Sequence, residues 1–153
     1  MPFTAEQFLE VFDKYNQFVF PMQMVLLLAA LYTLIPVAIQ SKNARRIISG
    51  VLAFLWLWAG IFYHLTFFTR INPAAYIFGA LFVLQGAFFF YYGVIEKRLN
   101  FRIQNNLFGI LGIVFIVYAL GIYPVIGALL GHSFPFSPTF GAPCPTVIYT
   151  FGF

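Results

Sequence analysis

The chain has 153 residues, of which 62% are hydrophobic, 22% aromatic and only 8% charged, with a formal net charge of +4. Soluble domains carry roughly 25% charged residues, so this composition excludes a fully water-exposed surface and implies an integral membrane protein. The single cysteine excludes an internal disulfide.

Thr4 followed by Gln7 has capping-box spacing, and residues 4–17 then read as an amphipathic helix. Phe8, Phe12 and Tyr15 recur on one side, and Glu6, Glu10 and Asp13 on another. Such a segment lies along a membrane surface or packs on a protein neighbour; its acidic polar face suits the second as well as the first. The same acidic opening has no basic n-region and does not read as a cleavable signal peptide.

Four apolar runs follow, at 18–40, 47–68, 74–94 and 107–130. Each is long enough, at ~1.5 Å per residue, to cross a ~30 Å hydrocarbon core. Residues 131–145 form a loop rich in proline, and 146–153 begin a fifth helix. Eight residues make only ~12 Å of helix, so this segment is expected to be truncated or sheltered by a neighbour. The predicted fold is a single all-α membrane domain over 1–153: a polytopic transmembrane helix bundle with an N-terminal amphipathic interfacial helix.

Orientation follows from the cations. Lys42, Arg45 and Arg46 lie in loop 41–46, and Lys97, Arg98 and Arg102 in loop 95–106; the other side holds only Lys14 and Arg70. An excess of basic residues marks the cytoplasmic side, which places the N-terminus and loop 131–145 outside. The expected location is a bacterial cytoplasmic (inner) membrane. Topology alone explains the six basic residues, so nucleic acid is not an expected partner.

Gly79, Gly86 and Gly93 recur every seven residues and give the third span a smooth stripe for close approach. Gly127 and Gly131 form a G-x-x-x-G pair in the fourth, beyond a kink expected at Pro124. Both sets are interface candidates, within this bundle or toward another subunit. Asn72-Pro73 has the chemistry of an N-cap and a first-turn proline.

No catalytic signature is present: there is no G-x-S-x-G, no H-E-x-x-H, no phosphate-binding loop, and no Asp, Glu, Lys or Arg inside the spans. Gln23 and Gln85 are the polar exceptions and read as interhelical hydrogen-bonding groups. His64 lies near the outer end of the second span, where an imidazole needs a polar partner or acts as a ligand. His132 follows the fourth span, where an imidazolium would suit the negative helix end. Cys144, held between Pro143 and Pro145, is expected at or next to an N-cap, as a reactive thiol or an inert small residue. Together His64, His132 and Cys144, with Met22 on the same side, make a candidate soft-metal set, and Arg70 and Asn72 a candidate binding pair.

The stretches "MPFTAEQFLEVFDKYN", "YHLTFFTRINPAAYIFGALFVLQG" and "PTFGAPCPT" resemble a bacterial family of multi-pass membrane proteins catalogued only as a domain of unknown function. The resemblance covers essentially the whole chain and implies further hydrophobic helices beyond "TVIYTFG". It implies no activity, substrate or cofactor. The expected function is that of a non-enzymatic accessory or structural subunit, alone as a homo-oligomer or beside other membrane subunits, with bound lipid. An outer-face metal, thiol or small-molecule site at His64, His132 and Cys144 is the alternative. A passive carrier of an apolar or neutral solute is weaker, since only Gln23, Gln85 and a few hydroxyls such as Tyr32 and Thr33 could line its path.

Overall fold

The structure is a computed structural model that describes residues 3–153, so Met1 and Pro2 of the opening motif lie outside the described residues. The described residues form six helices: α1 (Ala5–Val19), α2 (Met22–Ala38), α3 (Ala44–Arg70), α4 (Ala75–Ile95), α5 (Leu107–Leu129) and α6 (Pro143–Thr150). α3, α4 and α5 are each long and apolar enough to cross a membrane, and α1 with α2 would make a fourth span only as a bent pair.

The bend corrects the first expected span. The apolar run 18–40 is not one helix, because α1 continues to Val19 and turns 87° into α2. Pro21 is the cause: it lacks an N–H, its ring blocks the helical path, and it drives Phe20 to extended backbone. Gln23 braces this elbow, its Nε2 donating to the Asn16 carbonyl at 2.7 Å. α1 begins where the capping box places it, with Gln7 N donating to Thr4 Oγ1 and Thr4 N to Gln7 Oε1. Its apolar face is not laid on lipid. Val11, Phe12, Tyr15 and Val19 are buried in one cluster with Tyr63, Phe67 and Phe68 of α3.

α3 is the centre of the bundle. Its first half packs on α2 through Ile48, Leu52 and Leu55 against Leu26 and Ala30. Another face meets α4 along a glycine seam. A Cβ at Gly79 would lie 2.5 Å from Leu65, at Gly86 2.8 Å from Leu57, and at Gly93 2.0 Å from Ser49 Oγ. Bare backbone is what lets these two helices close on each other. From Ala59 to Phe67 the α3 helix widens into π geometry. Asn72 Oδ1 accepts from Ala74 N at 3.1 Å and caps the turn that leads into α4.

The G-x-x-x-G expectation for α5 does not hold. Gly131 lies past the helix at φ +81°; His132 N donates to Gly127 O (2.9 Å) and Gly131 N to Ala128 O (3.1 Å). That pair of bonds is a Schellman cap, so Gly131 ends α5 and does not line a seam. A Cβ at Gly127 would meet only the His132 carbonyl, at 3.5 Å.

α6 starts at Pro143, one turn earlier than expected, and its eight residues enter between α2, α3 and α5. The fully buried Tyr149 donates its hydroxyl to Ala30 O at 2.7 Å and lies 2.6 Å from Thr33 Oγ1. Trp56 Nε1 donates to Thr150 Oγ1 at 2.9 Å. Thr33 is therefore a packing residue and lines no solute path. At one end of the bundle Arg45 Nη1 donates to Lys97 O (2.9 Å), which joins the two basic loops. α1 and the 131–142 loop occupy the opposite end.

Candidate functional site

The end opposite the basic loops is organised by one asparagine. Asn16 sits on the inner face of α1, one turn beyond Phe12, and is fully buried. Its Nδ2 donates to Pro135 O (2.6 Å) and Ser137 O (2.8 Å), and its Oδ1 accepts from Thr139 Oγ1 (2.6 Å). Three bonds from one amide satisfy a loop whose prolines cannot supply N–H groups of their own. α1 thereby clamps the loop over the end of α3.

Beneath the clamp Trp58 Nε1 donates to the Tyr15 hydroxyl at 2.9 Å. The chain passes over this pair at Gly141, where Ala142 N donates to Thr139 O (3.0 Å) and closes a β-turn. Gly141 has φ +99°, and a Cβ there would lie 2.4 Å from Leu26 and 3.2 Å from the Tyr15 hydroxyl. Both the backbone and the space require glycine. The turn delivers Ala142, fully buried, as the N-cap of α6.

Cys144 is thus the second residue of α6, two past the N-cap, with Pro143 and Pro145 on either side. Pro145 is buried, but Cys144 is exposed, which removes the inert buried reading. The prolines shape the entry of α6 and turn the thiol outward, near the hydroxyls of Tyr63 and Tyr123. Close by, an apolar groove of about 350 Å³ runs between α1 and α5, from Phe8 and Phe12 to Pro124 and Leu130. Its polar lining is Tyr118, Tyr123, His132 and Ser137. The His132 ring is exposed, and it is the backbone N–H of this residue, not its imidazole, that caps α5.

His64 is elsewhere. It lies in the π segment of α3, 5% exposed, with its ring 4.7 Å from Phe82 and 6.0 Å from both Phe68 and Phe78. Neither ring nitrogen has a hydrogen-bond partner among the described residues, so none of them supplies the expected carbonyl, hydroxyl or amide. Among the described residues no three His, Cys, Asp or Glu side chains gather closely enough to hold a metal ion. His64, His132 and Cys144 therefore do not form the expected metal set. Met22 is half-buried and packs beside the α2–α3 core. Arg70 and Asn72 are both occupied locally: Arg70 Nε donates to Thr66 O (3.1 Å) with its guanidinium 5.1 Å from the Phe67 ring, and Asn72 caps its own turn.

Asn16, Trp58 and Gly141, which build this end, were not singled out from sequence, and Tyr15 was read only as part of the apolar face of α1. The available signal was an asparagine one turn beyond Phe12 on an apolar stripe, where a buried amide must find partners. Chemically the assembly offers an apolar groove, phenol hydroxyls, one imidazole and one exposed thiol. No match was found among curated proteins or among solved structures. One family model, described as a family of unknown function, matches residues 5–153. The chain, over almost its whole length and including the clamp, the turn and α6, belongs to that family, DUF6064.

Proposed function

We propose that this is a polytopic protein of a bacterial cytoplasmic membrane that acts as a non-enzymatic accessory subunit and docks on a larger membrane partner through α5. The observation that carries the reading is how little of α5 the described residues cover. Only Ala119 is buried along the whole of Leu107–Leu129. A helix held by one narrow strip has the rest of its circumference free for packing by another bundle, which is how membrane helices associate. The exposed Glu6 and Glu10 of α1 add a polar contact at the outer end.

A photo-crosslinking amino acid at Val114 or Val117, both about half exposed, is expected to give a discrete protein adduct in native membranes. The same reagent at Ile77 or Leu84 of α4 is expected to give lipid adducts. Lipid adducts alone from α5 would end the docking reading. Orientation has its own test, because Cys144 is the only cysteine and is exposed. A membrane-impermeant maleimide should label it in intact spheroplasts; labelling only after lysis would invert the proposed topology.

The groove between α1 and α5 favours a second reading, an outer-face site for a small amphiphile. Its apolar lining with four polar groups has the make-up of a ligand pocket. A dye attached at Cys144 whose emission ignores every amphiphile tried would remove it.

A further inference from the structure

A second cavity lies at the basic end, and nothing above uses it. It holds about 480 Å³ between the last turns of α2, the 101–104 segment, the first half of α5 and the residues after α6. Leu34, Val37, Phe108, Ile116 and Phe153 make its wall apolar, and Arg102 is its one charged lining residue. Along α5 it extends from Phe108 to Ile116, eight positions or ~12 Å of helix. That is close to the depth of one leaflet of a ~30 Å hydrocarbon core.

Charge at this end is one-sided. Lys42, Arg45, Arg46, Lys97, Arg98 and Arg102 face a single acid, Glu96, and Glu96 is already paired with Arg98 at 3.1 Å. Among the described residues Arg102 has no acidic partner, and its side chain is exposed at the mouth of the cavity. An apolar slot one leaflet deep with an unneutralised guanidinium at its rim matches a lipid with an acyl chain and an anionic headgroup. We infer that this cavity is a binding site for an anionic phospholipid of the inner leaflet, its acyl chain between α2 and α5 and its phosphate on Arg102. The inference rests on the proposed membrane placement and orientation, and not on the docking of α5.

The test uses the full chain reconstituted in vesicles of equal phosphatidylglycerol and phosphatidylcholine, extracted in mild detergent and weighed by native mass spectrometry. Wild type is expected to retain phosphatidylglycerol in preference. Arg102→Gln should lower that retention about fivefold, as expected for one basic contact to an anionic lipid, and Arg98→Gln should leave it unchanged. Ile113→Trp, which fills the apolar half, should lower retention of both lipids. Equal retention of the two headgroups by wild type, or equal loss in the two arginine variants, would overturn the site. So would a polypeptide adduct, from a second copy or another protein, at a photo-crosslinker placed at Ile113. A chain that fails to float with the vesicles would overturn the membrane placement itself, and the inference with it.

Discussion

α3 and α5 are both long apolar helices, yet the chain treats them in opposite ways. Half of the most apolar stretch of α3 is buried inside the molecule, against 6% for α5. Hydropathy does not separate them; α5 is the more apolar of the two. The difference lies in small residues. α3 meets Gly79 and Gly86 of α4 at backbone distance and Gly93 through the Ser49 side chain. In α5, by contrast, Gly109 and Gly127 face only backbone close in sequence, and Gly112 alone meets a distant segment, at Gly152 after α6. Where hydrocarbon surrounds every helix, apolarity gives no preference for protein over lipid, and close backbone approach decides what packs.

That contrast can be broken from either side. The largest effect is expected from Gly141→Ala, which combines a positive φ with a clash on Leu26. It should cost about 3–5 kcal/mol of stability, read by unfolding in mixed micelles. Gly93→Ala puts a methyl group onto Ser49 and should cost about 2–3 kcal/mol. If it proved neutral, the α3–α4 seam would not be the rigid part of the fold. Asn16→Ala strands two carbonyls and the Thr139 hydroxyl; a loss of about 2 kcal/mol and faster proteolysis within 131–142 are expected. His64→Phe should stabilise by about 1 kcal/mol, because both ring nitrogens are buried without partners among phenylalanines. A clear loss instead would mean that the imidazole holds a bound group. The smallest effect belongs to α5: Gly121 has nothing within 4 Å of its missing Cβ, and Gly121→Ala should raise stability by about 0.5 kcal/mol through helix propensity alone.

Much of this fold is legible in the sequence where length and apolarity are sufficient signals. α3, α4 and α5 begin and end within three residues of the runs 47–68, 74–94 and 107–130. The first run misleads because Pro21 sits inside unbroken hydrocarbon, where apolarity hides a backbone break. Gly127 and Gly131 mislead for another reason: the same spacing serves a helix seam or a Schellman cap, and only the backbone beyond Gly131 separates the two. The candidate site is harder still. Its polar groups come from α1, α3, α5 and a loop more than a hundred residues away, and no local spacing announces that Asn16 will meet Ser137. His64 shows the limit plainly, since a sequence cannot show that a buried imidazole will sit beside Tyr63, Phe68, Phe78 and Phe82 with no polar partner among the described residues.

The hydroxyl pair at the foot of α6 has a consequence for the order of assembly. Thr33 and Tyr149 are separated by 116 positions, so α2 is made long before its partner emerges. Thr33 is not left unsatisfied in the interval, because its one hydroxyl proton can go to Ala30 O, 2.7 Å away within its own helix, until the Tyr149 oxygen arrives as an acceptor. α2 therefore carries no orphaned Thr33 hydroxyl before α6 is made, and the α3–α4 seam is built entirely from segments adjacent in the chain. α6 follows α2 by more than a hundred residues, and its phenol joins a carbonyl and a hydroxyl already in position, which makes Tyr149 the latch between α6 and α2.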